Sequence, residues 1–160
     1  MATRSASTAD AQALVDTFFD ALGHFAGEPP ALDELVRVLA PSAKILEISD
    51  DGVGKRSRAA TASEGCFMRD AWLRRVVASA DRHRHAGQGH FFEEVQRTVF
   101  ERASELCVGI VVEERLTQAG RVAARAVLRC SLVVSHVGAR PAITRVRLRR
   151  STDRAREEVA

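Results

Sequence analysis

The sequence contains no tyrosine, one tryptophan, two lysines and three cysteines in 160 residues. Each shortage removes a class of explanation. Without tyrosine there is no phenolic donor for an oxyanion hole. Cys66, Cys107 and Cys130 are odd in number, widely spaced and form no C-x-x-C pair. That excludes a disulfide framework and a thiolate metal knuckle, and reduced, mostly buried thiols are expected. No apolar run approaches the ~20 residues of a membrane span. The opening "MATRSASTADAQ" lacks the apolar core of a secretory signal, so a cytoplasmic location is expected. "DDGVGK" lacks the glycine spacing and the following Ser or Thr of a phosphate-binding loop. The chain has no HExxH motif, and no cofactor is expected.

What is present describes an ordinary globular domain. Hydrophobic content is 46% and charged content 28%, as in soluble proteins with a single core. One domain over 1–160 is expected, with its core at about 8–151 and polar tails at 1–7 and 152–160. In "STADAQALVDTFFDALGHFAG", Ala11, Leu14, Val15, Phe18, Leu22 and Phe25 recur at helical spacing. Ser7, Thr8 or Asp10 can cap this helix and Gly27 can end it. "EPPALDELVRVLAP" reads as a short second helix, with Pro30 in its first turn and Pro41 as its stop. "AKILEIS" reads as a strand and "DDGVGK" as a turn. "TASE", residues 61–64, reads as a capping box for a third helix that carries Phe67, Met68, Trp72, Leu73, Val76 and Val77 to about Arg82.

After Gly89 the period changes from 3.6 to 2. Four strands follow, at about 90–102, 105–117, 121–135 and 141–151, and their short separators imply an antiparallel meander. Alternation then assigns faces. Val122, Ala124, Ala126, Leu128, Cys130, Leu132 and Val134 share one face, which must be the core face. A tight turn at 117–121 pairs Leu116 with Val122 and Glu113 with Arg125. That puts Val108, Ile110, Val112 and Glu114 inside. A two-residue turn at 103–104 pairs Val99 with Val108 and Glu93 with Glu114. Phe91, Glu93, Val95, Arg97 and Val99 then also face inward. A slip of one residue in any turn reverses such assignments.

The net charge is +3, and 22 of the 24 basic residues are Arg. Nine Arg and no acid lie between Arg115 and Arg150. The face assignment supplies acids for them: Glu94, Glu113, Arg125, Arg129, Arg145, Arg147 and Arg149 share the outer face. A solvated or dimer-forming face follows. A nucleic-acid partner is not expected, because there is no aromatic RNA-binding strand and no recognition-helix motif.

The order helix, short helix, strand, turn, helix, then four long antiparallel strands resembles the nuclear transport factor 2-like superfamily. This is the cystatin-like α+β roll of the SnoaL-like cyclases. "FFEEVQRTVFERASELCVGIVVEERLTQAGRVAARAVLRCSLVV" is its most family-like stretch. The resemblance implies an α+β fold with three N-terminal helices packed on a strongly curved, mainly antiparallel sheet. It also implies a cone cavity and a homodimer. The missing Tyr disfavours chemistry of the ketosteroid isomerase or scytalone dehydratase kind. The last strand, "PAITRVRLRR", carries no aromatic residue to shape the cavity.

On this reading Glu93, Arg97 and Glu114 form the candidate catalytic cluster. Two opposed carboxylates cannot both ionise cheaply, so one is expected to hold a proton unless Arg97 neutralises them. The resemblance puts His24 at the cavity, His90 starts a strand and can point along the pocket rim, and Asp70 and Trp72 are candidate lining residues on the third helix. His83 and His85 read as a surface loop, and no metal site is expected. Two functions remain: a pocket for a small, largely apolar molecule, with cofactor-independent lyase, isomerase or hydrolase chemistry, or a non-catalytic binding or dimerisation module with a filled cavity.

Overall fold

The computed structural model describes residues 6–50 and 63–151. Helix α1 (Thr8–Leu22) starts at a capping box: the Ser7 hydroxyl accepts from the Asp10 N–H, and the Asp10 carboxylate from the Ser7 N–H. Its apolar stripe buries Ala11, Val15, Phe18, Phe19 and Leu22. The helix ends at Gly23 rather than at Gly27. The next residue is claimed by a strand: His24 and His90 exchange both backbone hydrogen bonds at 2.8 Å. A Cβ at Gly23 would lie 3.2 Å from the His90 carbonyl, so the close approach suits glycine. Helix α2 (Leu32–Val38) is short and runs directly into strand β1 (Leu39–Asp50), which contains Pro41.

The sequence pattern misassigned residues 63–68. They form strand β2 (Ser63–Met68), antiparallel to β1 with Leu46 opposite Cys66. Helix α3 begins only at Arg69 and runs to His85. Gly65 is a poor helix former, and in the strand Phe67 lies over it. Pairing with the edge of β1 outweighs whatever helical preference the segment has. Thr61 and the turn at 51–55 lie outside the described residues.

Strands β3 (Gln88–Arg102), β4 (Glu105–Gln118), β5 (Arg121–Val137) and β6 (Arg140–Ser151) form the expected meander. The sheet order is β2-β1-β6-β5-β4-β3, with β1 parallel to β6 and every other pair antiparallel. Ala119 and Gly120 take left-handed φ values of 51° and 75°, as a two-residue hairpin of the primed type requires.

Two registers differ from the expected ones, with different consequences. Between β4 and β5, Leu116 pairs with Ala124 and Arg115 with Arg125. This is a shift of two residues, so side chains up to Leu116 and from Ala124 onward keep their faces, and Val108, Ile110, Val112 and Glu114 are buried, while an irregularity between Leu116 and Thr117 sets Val122 opposite Thr117. Val122 and Ala124, near the hairpin end, are nonetheless exposed. Between β3 and β4, Val99 pairs with Val108 as expected, but the register slips by one between Glu94 and Gln96. A bulge of this kind reverses the faces of everything before it. Phe92 therefore pairs with Glu114, and Glu93 with Glu113.

The core fills the space between the inner sheet face and the helices. Leu132, Ile143, Val108, Ile45, Leu35 and Phe18 are its fully buried centre. Trp72 stacks on Phe18 at 5.7 Å with 12° between ring planes. Helix α3, though 17 residues long, buries only Trp72 and Ala80. A cavity remains beneath it.

Candidate functional site at the cone cavity

The cavity lies between α3, the end of α1 and the inner face of the sheet, with a volume of about 250 Å³. Its walls include Leu22, Trp72, Val76, Phe92, Leu128 and Leu148. Its polar groups are His24, His90, Glu47, Glu114, Arg75, Arg82 and Arg150. Three guanidinium groups thus face two carboxylates. A further recess of about 280 Å³, sharing His90, Glu114 and Arg150 with the cavity, is also lined by His83 and Arg125.

Glu114 is the central group. It is only 8% exposed, and its position on β4, inside the sheet and opposite Phe92, leaves it little water. Arg150, near the end of β6, reaches it with two hydrogen bonds of 2.6 and 2.9 Å. His90 Nε2 lies 2.6 Å from Oε2, the oxygen that also accepts from Arg150 Nη2. Burial by itself raises a carboxyl pKa. Here the hydrogen bonds from His90 and Arg150, and their charge, outweigh burial and hold Glu114 down at about 2. The carboxylate is therefore ionised and can only accept, so His90 donates from Nε2, and in the neutral ring the lone pair is on Nδ1. The same pairing, acting against burial, holds Arg150 in its charged form.

His24 is oriented in the same way. Its Nδ1 donates to the Phe25 carbonyl at 3.0 Å, and its Nε2 is buried without a partner. His83 is not on a surface loop. It lies in the last turn of α3 with its ring 4.9 Å from that of His90 and 5.8 Å from that of His24. Burial, then the neighbouring His90 and His24, lowers its pKa to about 4. His85 points elsewhere, with Nδ1 against the Asp81 carbonyl at 2.7 Å.

The expected trio of Glu93, Arg97 and Glu114 is not assembled. The bulge turns Glu93 away from Glu114; its side chain is 59% exposed and pairs with Arg115. Arg97 stays on the inner face but is engaged by Asp16 of α1 and by Glu94. Glu94, expected outside, therefore shares the side of the sheet that meets α1. Of the four expected lining residues, His24, Trp72 and His90 border the cavity. Asp70 does not: its side chain is 69% exposed and pairs with Arg69 at 2.9 Å. Trp72 donates from Nε1 to Glu47 at 2.6 Å, and Arg75 bonds the other Glu47 oxygen at 3.2 Å. On the outer face Glu113 pairs with Arg115 at 2.7 Å and lies 3.7 Å from Arg125, and Arg145 pairs with Glu105 at 3.1 Å. The Arg-rich segment thus finds acids there.

Sequence reasoning missed Glu47, Arg150 and His83. The strand pattern did put Glu114 inside, and Arg150 is the one Arg of the last strand that alternation places with Val146 and Leu148. His83 carries a weaker signal, since only the length of α3 decides where it points.

No family model matches the sequence, and no curated protein is similar to it. Solved structures do match. An uncharacterised protein with a cystatin-like fold from Caulobacter vibrioides superimposes with a TM-score of 0.61 at 15% identity, over 94% of each chain. The β subunit of benzoate 1,2-dioxygenase from Burkholderia mallei does so with a TM-score of 0.62 at 11% identity, again over 94% of each. At these identities the likeness is one of fold. The chain has the cystatin-like α+β roll, the fold of the nuclear transport factor 2-like superfamily. That fold hosts unrelated functions, so function has to be argued from the site. Among the described residues, no helix is long and apolar enough to cross a membrane.

Proposed function

We propose that the protein binds a small molecule with an apolar body and an anionic end in the cone cavity. The observation that carries this reading is a cavity with an apolar wall of Leu22, Val76, Phe92, Leu128 and Leu148 in which three guanidinium groups, Arg75, Arg82 and Arg150, outnumber the carboxylates of Glu47 and Glu114. Burying a charge such as that of Glu114 is costly and is seldom stabilising by itself. Groups so arranged at a cavity are candidates for binding and chemistry. Glu114, held well below the ordinary carboxyl range by Arg150 and His90, stays ionised near neutral pH.

The test uses phenylacetate, which offers a ring for the apolar wall and a carboxylate for the arginines. Saturable thermal stabilisation of the wild-type protein, lost when Val76→Trp fills the cavity, supports the reading. Equal stabilisation of both proteins, or none, counts against it.

A second reading is a homodimer across the outer sheet face. It draws on Phe100, which is 47% exposed near that face's buried Cys107 and Val133. Sedimentation equilibrium tests it: a dimer that Phe100→Asp converts to monomer supports it, and a monomer at all concentrations refutes it.

A further inference from the structure

Three imidazoles converge from three elements: His24 just after α1, His83 at the end of α3 and His90 at the start of β3. One ring nitrogen of each lies within 4.8 Å of the other two. A packed histidine ordinarily finds a partner for each nitrogen, because an orphaned buried polar group costs about 1–3 kcal/mol. Here His24 Nε2 and His83 Nδ1 are both buried with no partner, and His24 is only 5% exposed.

The hydrogen bonds outside the cluster decide which nitrogen each ring presents. The Phe25 carbonyl can only accept, so His24 carries its proton on Nδ1 and leaves Nε2 as a lone pair. The Glu114 carboxylate orients His90 in the opposite sense, with the proton on Nε2, so the neutral ring presents its lone pair on Nδ1. One imidazole nitrogen donating to a carbonyl or carboxylate while the other is left free is the outer-shell arrangement of metal-bound histidines. Arg150 anchors the Glu114 carboxylate in turn.

We propose that His24, His83 and His90 bind a divalent transition ion of the Zn²⁺ class, with the Phe25 carbonyl and Glu114 as outer-shell acceptors. Three imidazoles, with neither thiolate nor carboxylate in the set, suit Zn²⁺ and its first-row neighbours rather than Mg²⁺ or Ca²⁺. Zn–N bonds of about 2.0–2.1 Å set ligand nitrogens roughly 3.3 Å apart in a tetrahedron, so the rings must close by up to about 1.5 Å. Rotation of His83, at the C-terminal end of a helix, supplies much of that movement. Three protein ligands leave a fourth position for water, as in catalytic rather than structural zinc sites. His24 and His90 both border the cavity, so that position faces the space in which a small molecule would sit. The proposal does not rest on the cavity binding an organic ligand.

The experiment is a Zn²⁺ titration of the untagged, metal-free full chain against a chromophoric chelator, without any organic ligand. Co²⁺ substitution is read in parallel from its visible d–d bands. One equivalent of Zn²⁺ should bind, and the Co²⁺ spectrum should be that of a four-coordinate ion. His83→Ala and His90→Ala should each weaken binding by at least tenfold. Glu114→Gln should weaken it by roughly 10- to 100-fold, as loss of an outer-shell partner does. His85→Ala should leave affinity unchanged. Circular dichroism and the Tm of each metal-free variant establish folding, and glutamine at the same position replaces any alanine variant that fails it. No stoichiometric binding by the wild type overturns the proposal. So does binding that survives loss of His83 and His90 but falls with His85. Failure of the phenylacetate test leaves these readouts untouched.

Discussion

Replacing Arg150 with Met removes both hydrogen bonds of 2.6 and 2.9 Å from the buried Glu114 carboxylate and leaves only His90 beside it. Breaking a buried ion pair from one side costs about 3–5 kcal/mol, because the remaining charge stays desolvated. Arg150 is itself 43% exposed in its side chain, which moves the expected loss to about 2–3 kcal/mol at pH 7. The pH dependence is the sharper test. The folded-state pKa of Glu114 is about 2, below its ordinary 4.5. The unfolded chain therefore binds more protons between these values, and stability is lost as pH falls through that window. A separation of about 2.5 units corresponds to about 3 kcal/mol. In Arg150→Met the folded-state pKa moves upward and this contribution shrinks. Urea unfolding of both proteins from pH 7 to pH 3 should thus show a stability gap that narrows below about pH 4.5. A gap below about 0.5 kcal/mol at pH 7, or one that is independent of pH, would refute the reasoning.

Leu132→Ala, at the fully buried centre of β5, should cost about 2–5 kcal/mol in urea unfolding; a loss under about 1 kcal/mol would mean that this part of the core is not packed as described. Glu93→Gln should change stability by less than about 0.5 kcal/mol, since its partner Arg115 lies on an exposed surface. A loss comparable to that of Glu114→Gln would restore the unbulged register. In metal-free protein the His83 ring should titrate near pH 4 by NMR. Because this value lies below the ordinary 6.5, His83 subtracts stability as pH falls from about 6.5 toward 4; a midpoint at 6 or above would place the ring in water. Cys130, whose thiol burial and then the Glu114 charge push up to about 12, should resist a disulfide reagent in the folded state while the exposed Cys66 reacts.

How much was legible in the sequence follows from which signals are local. Period-2 alternation over four long segments, with short separators, located β3 to β6 to within two or three residues. The same alternation placed Val108, Ile110, Val112 and Glu114 inside, and they are. It failed at Glu93 because a bulge inserts one residue without altering composition, and the slip between Glu94 and Gln96 reverses the faces only on its N-terminal side. Arg97, on the other side, kept its assigned face. Residues 63–68 were misread because Phe67 and Met68 fit a helical stripe as well as a strand, and the edge of β1 that decides between them is a tertiary feature. The histidine cluster was illegible for a further reason. His24, His83 and His90 are 59 and 7 residues apart, which matches no metal-ligand spacing, and only the His24–His90 backbone bridge brings the first to the third.

The most direct test of the central claim is a crystal structure of the untagged protein, purified without added ligand and then soaked with phenylacetate. The account predicts density in the cone, its ring against Phe92, Leu128 and Leu148 and its carboxylate toward Arg75 and Arg82. A cone closed by Trp72 and Phe92, with Glu114 turned to solvent and phenylacetate absent, would contradict it.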